Sequence, residues 1–382
     1  MRTSDRLRAA LVDGLTGDDA IGDPAWRAAV LAVPRELFVG SFFVPVPGSS
    51  PTAYRPVHRT DPGWLRQVYA NETLITQLDG HVRPEDVTGG TVTGTPSSSS
   101  TLPSLVLGMW QQLDAEAGHR VLEIGTGTGY STALGAHRLG DANLTSIEYD
   151  PLVAERAAAA IRAAGFAPRL VVGDGLIGDP DGGEGAYDRL IATCAVRYLP
   201  PGWLHQVKPG GVILATLSGW GFGFGLVRLV VTAPGEGTGR FMPGWTSFMI
   251  ARPHDRPPRQ SISLLPGDER PSRIDPEVIS TWTGSWVAQL AAPSAERMGA
   301  VGHQILWDVA TGSQARTAPV PGGGWTVVQR GPLRLWDQVE SAVEAWQRAG
   351  EPHQEGFGLT VSPTGQRVWI GSEAGPGWNL PI

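Results

Sequence analysis

The sequence has little positive charge and a single cysteine, and each shortage excludes a class of protein. Its 30 basic residues, of which only Lys208 is a lysine, face 37 acidic residues, so the formal net charge is -7. Proteins that bind nucleic acid or an anionic membrane surface normally carry an excess of positive charge, so neither partner is expected. One cysteine, Cys194, can build neither an internal disulfide nor a cysteine-rich zinc site. We predict no metal site.

No segment has the composition of a membrane span or of a secretory signal. The most apolar long stretch, residues 211–231, contains Ser218, Arg228 and five glycines. A helix that crosses a bilayer needs about 20 consecutive apolar residues. The N-terminus is charged, and no apolar segment follows it. We therefore expect a cytoplasmic protein.

What the sequence does contain is an alternation of strand-like and helix-like segments between residues 113 and 234. Strands are predicted at 120–124, 143–148, 170–172, 188–192 and 211–216, and helices at 130–138 and 151–164. Strands that alternate with helices at this spacing are typical of a parallel, doubly wound sheet. The predicted fold class is α/β, with a Rossmann-like core at 113–234.

The flanking parts differ from this core in composition. Residues 1–112 open with helical patterns, including a helix predicted to start at Asp23-Pro24, and continue with a loop-like stretch at 44–62 and a polar, glycine-rich run at 79–100. We interpret this part as a helical, substrate-facing segment.

The C-terminal part, residues 235–382, is rich in proline, glycine and tryptophan. Ten of the fourteen tryptophans lie from Trp220 onward. A helix is predicted over 335–349, and 366–370 is predicted as the second strand of a hairpin. We predict a small α+β accessory domain whose tryptophans form mostly core, with an aromatic groove for a peptide as the alternative.

A glycine loop and three acidic residues indicate a nucleotide-like cofactor. The loop 123–130 reads Glu-Ile-Gly-Thr-Gly-Thr-Gly-Tyr and lies between a strand and a helix. Its spacing is G-x-G-x-G, whereas dinucleotide-binding folds carry G-x-G-x-x-G. Glu123, Glu148 and Asp174 fall at three neighbouring strand ends, where doubly wound folds bind ligands. An acidic rim suits a cationic sulfonium nucleoside better than a pyrophosphate, which favours S-adenosyl-L-methionine over NAD. The predicted cofactor-binding residues are Glu123, Gly125, Thr126, Gly127, Thr128, Gly129, Glu148, Tyr149, Asp174 and Gly175.

Several motifs together resemble the protein L-isoaspartyl O-methyltransferase family. They are Gly118-His-Arg-Val-Leu-Glu-Ile-Gly-Thr-Gly-Thr-Gly-Tyr130, Gly173-Asp-Gly175, Tyr187-Asp-Arg-Leu-Ile191, Leu204-His-Gln-Val-Lys-Pro-Gly-Gly211, Val33-Pro-Arg-Glu-Leu-Phe38 and Val68-Tyr69. The resemblance covers about residues 25–231 and implies a class I methyltransferase fold. It also implies methyl transfer from S-adenosyl-L-methionine to a carboxylate of a polypeptide, followed by closure of the ester to a succinimide.

The sequence departs from that family in three places. In the family a Thr-x-Ser-x-Pro-like segment carries an active-site serine, and here Thr101 occupies that position when residues are counted back from Pro103. An extra polar segment spans 78–94, and about 150 residues follow the core. Such variants resemble the branch of the family that modifies ribosomally made precursor peptides, in which an ordinary aspartate becomes an aspartimide. The predicted catalytic positions are Ser98, Ser99, Ser100 and Thr101.

Three functions stay open at this point. The sequence favours the first, methylation of an aspartate in a crosslinked precursor peptide. The alternatives are general repair of isoaspartyl polypeptides and a binding module that keeps the fold as a scaffold. Cys194 is interpreted as a small buried hydrophobe, and His58 and His81 as solvated loop residues. A carboxylate is already anionic at neutral pH, so methylation needs positioning and exclusion of water rather than a general base.

Overall fold

The computed structural model describes residues 2–18, 21–258, 263–300 and 303–382. The chain divides into two units. Unit 1 comprises Met1–Thr193 and His205–Leu214, and unit 2 comprises Cys194–Leu204 and Ala215–Ile382. The division into domains at 1–112, 113–234 and 235–382 stays a prediction.

The described residues form helices and strands along the whole chain. The α-helices are α1 (Thr3–Gly17), α2 (Pro24–Ala32), α3 (Trp64–Val68), α4 (Pro103–Leu113), α5 (Tyr130–Leu139), α6 (Pro151–Ala163), α7 (Pro201–Gln206), α8 (Trp282–Ala291) and α9 (Leu335–Arg348). The strands of the first half are β1 (Phe42–Pro45), β2 (Ala53–Val57), β3 (Leu74–Leu78), β4 (Val92–Thr93), β5 (Pro96–Ser100), β6 (Val121–Ile124), β7 (Leu144–Glu148), β8 (Arg169–Val172) and β9 (Tyr187–Val196). Those of the second half are β10 (Val207–Ser218), β11 (Phe224–Ala233), β12 (Glu236–Phe241), β13 (Asp268–Pro271), β14 (Ala295–Ala300), β15 (His303–Asp308), β16 (Gln314–Pro319), β17 (Trp325–Arg330), β18 (Phe357–Ser362), β19 (Gly365–Ile370) and β20 (Gly377–Asn379). In these ranges no helix is both long and apolar enough to cross a membrane.

The core of unit 1 is the parallel sheet that the alternating pattern predicts. Strands β9, β6, β7 and β8 lie side by side in that order, and the pairs β6–β9, β6–β7 and β7–β8 are parallel. Every residue of β6 is buried, because helices cover both faces of such a sheet. The predicted fold class, a Rossmann-like class I methyltransferase core, is confirmed.

The N-terminal part contains a sheet that the sequence reasoning missed. Strands β4, β2, β1, β3 and β5 form an antiparallel sheet in that order. The stretch 44–62, predicted as a loop, contributes the end of β1 and all of β2, so that prediction was wrong. The prolines of this stretch favoured a loop in the sequence analysis, and the two strands are only four and five residues long. The start of α2 was predicted correctly, since the Asp23 side chain accepts a hydrogen bond from the Ala25 amide at 2.7 Å.

The two ends of the extra segment 78–94 belong to the same sheet, at Leu78 of β3 and at β4. Phe43, Tyr54 and Leu78 form a buried apolar cluster, and Val82, Val87 and Val92 pack against it. The segment is therefore anchored by its own apolar side chains.

Unit 2 combines helices with antiparallel sheets, as the predicted α+β composition requires. One sheet has the order β13-β17-β16-β15-β14, and β20, β19, β18, β12 and β11 are neighbours in that order. The predicted hairpin strand is β19, which pairs with β18. Trp286 and Trp336 are fully buried, whereas Trp245 is exposed.

Candidate active site

The glycine loop connects β6 to α5 in a conformation that requires glycine. Gly125, Gly127 and Gly129 have φ values of +96°, +56° and +88°, which L side chains rarely adopt. A Cβ atom on Gly125 would lie 2.8 Å from the Thr193 hydroxyl oxygen, and one on Gly129 would lie 3.0 Å from Ile161. The loop therefore presents bare backbone at the carboxyl edge of the sheet, where a ligand can approach closely.

Glu123 lies beneath this loop and is fully buried. Its carboxylate accepts hydrogen bonds from the hydroxyls of Ser131 and Thr132, both at 2.6 Å, and of Ser146 at 2.8 Å. Burial raises the pKa of this carboxyl, while the three hydroxyl donors act in the opposite direction. Glu123 thus ties β6 to α5 and β7, and we infer that it shapes the cofactor loop from inside instead of lining the surface as predicted.

Glu148, at the end of β7, lies directly against the glycine loop. One carboxylate oxygen accepts a hydrogen bond from the Gly127 amide at 2.8 Å, and the other accepts one from the Asp150 amide at 3.0 Å. Thr126 is also attached to β7, since its hydroxyl oxygen lies 2.7 Å from that of Ser146. These contacts bring together the glycine loop and Glu148, both of which the sequence assigns to cofactor binding.

The third acidic position follows β8. The Asp174 carboxylate accepts a hydrogen bond from the Leu176 amide at 2.9 Å. A Cβ atom on Gly175 would lie 2.6 Å from Ile124, so the chain passes directly against the end of β6. Three large apolar side chains stay exposed at these strand ends and could cover a flat purine ring: Tyr149, Val172 and Ile177. Bare backbone, two carboxylates and apolar surface therefore fit S-adenosyl-L-methionine.

The serine run forms strand β5 and leads into α4. Ser98 and Ser100 are buried, while Ser99 and Thr101 are half-buried. The Ser100 hydroxyl lies 3.4 Å from a guanidinium nitrogen of Arg35 and so faces the protein interior. Among the four predicted catalytic positions, Ser99 and Thr101 are thus more exposed than Ser98 and Ser100.

This strand abuts the glycine loop beside a cavity of about 250 Å³. A Cβ atom on Gly127 would lie 3.4 Å from the Ser99 carbonyl oxygen. Ser98 and Thr128 both line the cavity. The predicted catalytic strand and the predicted cofactor loop are therefore adjacent in space.

The extra segment contributes charged residues to the wall of this cavity. Arg83 and Glu85 line it from the segment, and Arg156 lines it from α6. Arg83 donates two hydrogen bonds to Asp86, at 2.8 and 2.7 Å, and this pairing lowers the pKa of Asp86 to about 2. Arg156 lies 4.0 Å from Glu85. The sequence reasoning identified the segment but not its place beside Ser98.

The remaining candidates take no part in this arrangement. His81 is exposed, and its ring nitrogen lies 2.7 Å from the Asp79 carbonyl oxygen. His58 and Cys194 are half-buried. Within the described ranges, no cluster of three histidine, cysteine or acidic residues could hold a metal ion.

Arg35 is the residue of this region whose importance sequence reasoning missed. It is fully buried beneath the serine strand. The signal that could have identified it is its position between the apolar pairs Val33-Pro34 and Leu37-Phe38, which indicates burial. A buried arginine needs a dedicated set of hydrogen-bond acceptors.

Comparison with known proteins places these motifs in one family. The sequence model described as protein-L-isoaspartate(D-aspartate) O-methyltransferase matches residues 91–219. The protein-L-isoaspartate O-methyltransferase of Rhodopseudomonas palustris (strain BisB5) is 38% identical over 198 residues, which are 52% of this chain and 71% of that protein. The enzyme of that name from Hyperthermus butylicus is 30% identical over 214 residues, or 53% of this chain and 72% of that protein. Other relatives are matched over about half their length, as in Archaeoglobus fulgidus, with 40% identity over 111 residues, 28% of this chain and 50% of the relative.

A solved structure of a protein-L-isoaspartate O-methyltransferase has a similar fold. It aligns with 96% of this chain and 100% of its own at a TM-score of 0.55 and 18% sequence identity. At that identity the likeness concerns the fold alone. The aligned range extends well past the methyltransferase core.

These matches support the cofactor predicted from the loop. The methyl donor of protein-L-isoaspartate O-methyltransferases is S-adenosyl-L-methionine. This confirms the prediction that the cofactor is S-adenosyl-L-methionine and not NAD. The resemblance inferred from the motifs is confirmed as well. With two relatives at 30% identity or more that are covered over more than two thirds of their length, the chain belongs to the protein-L-isoaspartate(D-aspartate) O-methyltransferase family.

Proposed function

We propose that the chain is an S-adenosyl-L-methionine-dependent O-methyltransferase that acts on a carboxylate of a polypeptide, with an isoaspartyl residue as its acceptor. The observation that carries the proposal is the hydrogen bond between the Glu148 carboxylate and the Gly127 amide. This bond holds, against the glycine loop, a carboxylate that can accept hydrogen bonds from the hydroxyls of a ribose. Membership of the family supports the reaction class.

The cofactor residues then take distinct roles. Glu148 accepts hydrogen bonds from ribose hydroxyls, and Asp174 accepts one from the adenine amino group. Tyr149 and Ile177 cover the purine, while the bare backbone of the glycine loop lies against the remainder. The bound cofactor supplies a methyl carbon attached to a positively charged sulfur.

The side chains of β5 orient the acceptor. The bound cofactor would supply the methyl group, and the substrate carboxylate, which is already anionic, would accept it without giving up a proton. Hydroxyls of Thr101 and Ser99 can donate hydrogen bonds to the second carboxylate oxygen without neutralising its charge as arginine would. Their contribution is orientation, which brings the reacting atoms into line, together with exclusion of water.

The product ester needs no further group of the protein. The neighbouring backbone nitrogen of the substrate attacks the ester carbonyl, methanol leaves with the nitrogen's proton, and a succinimide forms. Repair and peptide biosynthesis share this chemistry, so they differ only in which carboxylate is bound.

A second candidate acceptor is an aspartate of a ribosomally made, crosslinked precursor peptide. The observation that favours it is the segment 78–94, whose Arg83 and Glu85 line the cavity beside Ser98 and can select a particular substrate. The length of the chain does not favour it, because the solved structure named protein-L-isoaspartate O-methyltransferase aligns with 96% of this chain.

Mass spectrometry of two substrates tests the proposal. The protein is incubated with S-adenosyl-L-methionine and either an isoaspartyl peptide or a ribosomally made precursor peptide that contains an ordinary aspartate. We expect a methyl ester and then loss of methanol on the isoaspartyl peptide. The same changes on the precursor alone would instead assign the biosynthetic function.

A matched pair of variants ties any activity to the site. Glu148→Gln should abolish most methyl transfer, because it replaces one acceptor oxygen beside the ribose by an amide donor. Glu155→Gln changes an exposed acid on the adjacent helix α6 and should leave the rate unchanged. Equal rates in the two variants would contradict the assignment of Glu148.

A further inference from the structure

Arg35 is a fully buried arginine that binds backbone carbonyls. It follows α2 and begins a single 3-10 turn, Arg35–Leu37. Arginine is almost never fully buried unless its donors find acceptors. Burial lowers the pKa of Arg35 to about 10, so the guanidinium stays protonated at neutral pH and keeps all five of its donors.

The guanidinium joins two segments that are distant in sequence. One terminal nitrogen donates to the carbonyls of Val68 and Ala70, both at 2.9 Å, and the other donates to the carbonyl of Glu72 at 3.0 Å. The second nitrogen also reaches the carbonyls of Ser100 and Thr101, at 3.3 and 3.2 Å. The planar fork of arginine suits this arrangement, whereas the ammonium group of lysine is a point charge with three donors.

The segment 68–73, whose carbonyls accept hydrogen bonds from Arg35, also binds the turn that follows β5. The Leu102 amide donates to the Thr73 hydroxyl at 3.1 Å, and the Ser104 amide donates to the Asn71 side chain at 3.0 Å. Arg35 thus holds the carbonyl of Thr101, and Thr73 holds the amide of the next residue, Leu102.

Strand pairing does not extend to Thr101. The register of β3 with β5 ends at the pair Leu74–Ser100, so Thr101 lies one residue beyond it. The Arg35 guanidinium also lies 5.6 Å from the centre of the Tyr130 ring, the first residue of α5 after the glycine loop. The position of Thr101 relative to the glycine loop therefore depends on the hydrogen bonds from Arg35 to the carbonyls of Ser100 and Thr101.

We propose that Arg35 is a positioning residue for methyl transfer, which sets the place of the Thr101 hydroxyl beside the acceptor carboxylate. The inference rests on the proposed function and adds to it a residue that does not touch substrate. Arg35 acts through Thr101, so its effect must depend on the presence of the Thr101 hydroxyl.

The first measurement compares Arg35→Lys with a matched control. A displacement of about 1 Å at a reacting group can cost about 100-fold in rate, so we expect kcat to fall by about 10- to 100-fold. The KM for S-adenosyl-L-methionine should change by less than about threefold, because the glycine loop and Glu148 are unaltered. Arg189→Lys is the control, since Arg189 donates to the carbonyls of Leu113 and Asp114 at the far end of α4. Its kcat should stay near that of the wild type.

A double-mutant cycle separates positioning from a general loss of structure. In a Thr101→Ala background, Arg35→Lys should lower kcat by less than about threefold, because the hydroxyl that it positions is absent. Thermal unfolding of each variant records any loss of stability. An equal reduction of kcat in both backgrounds, or an unchanged kcat for Arg35→Lys alone, overturns the proposal.

Thr73→Val decides the question if Arg35→Lys does not fold. Thr73 is exposed and holds the same turn through the Leu102 amide, so this variant should fold. It should lower kcat in the wild-type background and have little effect in the Thr101→Ala background, and an equal effect in both refutes the role of the turn. A wild-type protein that binds S-adenosylhomocysteine but methylates no peptide carboxylate refutes the proposed function and this inference together. Active wild type with additive variants refutes only the inference.

Discussion

A methyl group added at Gly125 should weaken both the fold and the cofactor site, by an amount that the structure specifies. Gly125 has a φ of +96°, and its Cβ would lie 2.8 Å from the Thr193 hydroxyl oxygen. A left-handed conformation costs an ordinary residue about 1–2 kcal/mol. Thr193 would also have to move away from the Gly125 carbonyl, to which its hydroxyl donates at 2.6 Å, and losing that bond costs about 1 kcal/mol. We expect Gly125→Ala to lower the free energy of unfolding by about 2–3 kcal/mol.

Gly165→Ala is the matched control for this variant. Gly165 has a φ of +90°, but open space surrounds its Cβ position, so the substitution introduces backbone strain without a contact. We expect it to cost about 1–2 kcal/mol of stability and to leave cofactor binding unchanged. Urea unfolding gives the stabilities, and titration calorimetry with S-adenosylhomocysteine gives the affinities. Gly125→Ala should weaken binding at least tenfold, because the loop and Thr193 shift where the cofactor lies. If both variants bind S-adenosylhomocysteine like the wild type, the loop does not form the cofactor site.

Three further predictions concern the core, the C-terminal part and pH. Glu123→Ala should lower the free energy of unfolding by about 2–4 kcal/mol, since three hydroxyls, two of them buried, lose their acceptor, and Glu123→Gln should cost less; similar urea midpoints for the two would contradict this. Trp336→Ala should lower the free energy of unfolding by about 3–5 kcal/mol, measured by thermal unfolding. Trp245 is 83% exposed, so Trp245→Ala should leave the unfolding midpoint unchanged. The pairing of Asp86 with Arg83 contributes stability above the usual carboxyl pKa of 3.8 and loses it as the pH falls through about 2. The protection of the amides of segment 78–94 against hydrogen exchange, after division by the intrinsic exchange rate at each pH, should fall over that interval. Protection that does not change with pH would refute the pairing.

The sequence was sufficient to predict the central sheet and the cofactor, because both depend on local patterns. Strand β6 is followed directly by Gly125 and strand β7 ends at Glu148, so each pattern lies within a few residues. The start of α2 at Asp23-Pro24 was predicted for the same reason, since a capping side chain acts on its own neighbours.

The serine run shows where local pattern misleads. From composition, residues 97–100 resemble a flexible linker, yet they form β5 because β3 provides hydrogen-bond partners from about 20 residues away. The same strand geometry buries Ser98 and Ser100 and leaves Ser99 half-buried, since side chains alternate between the two faces. These differences in exposure follow from strand formation, which composition does not contain.

The sequence by itself determined the family, the parallel sheet and the glycine loop, because each is written in residue types at short spacing. Only the tertiary structure decided that Glu123 is enclosed by hydroxyls, that the segment 78–94 lines the cavity beside Ser98, and that Arg35 holds the turn at Thr101. These are contacts between residues 8 to 66 positions apart, or between separate segments around one cavity. Such contacts exist only once the chain has folded, since burial and hydrogen bonding are properties of the packed neighbours and not of the residue alone.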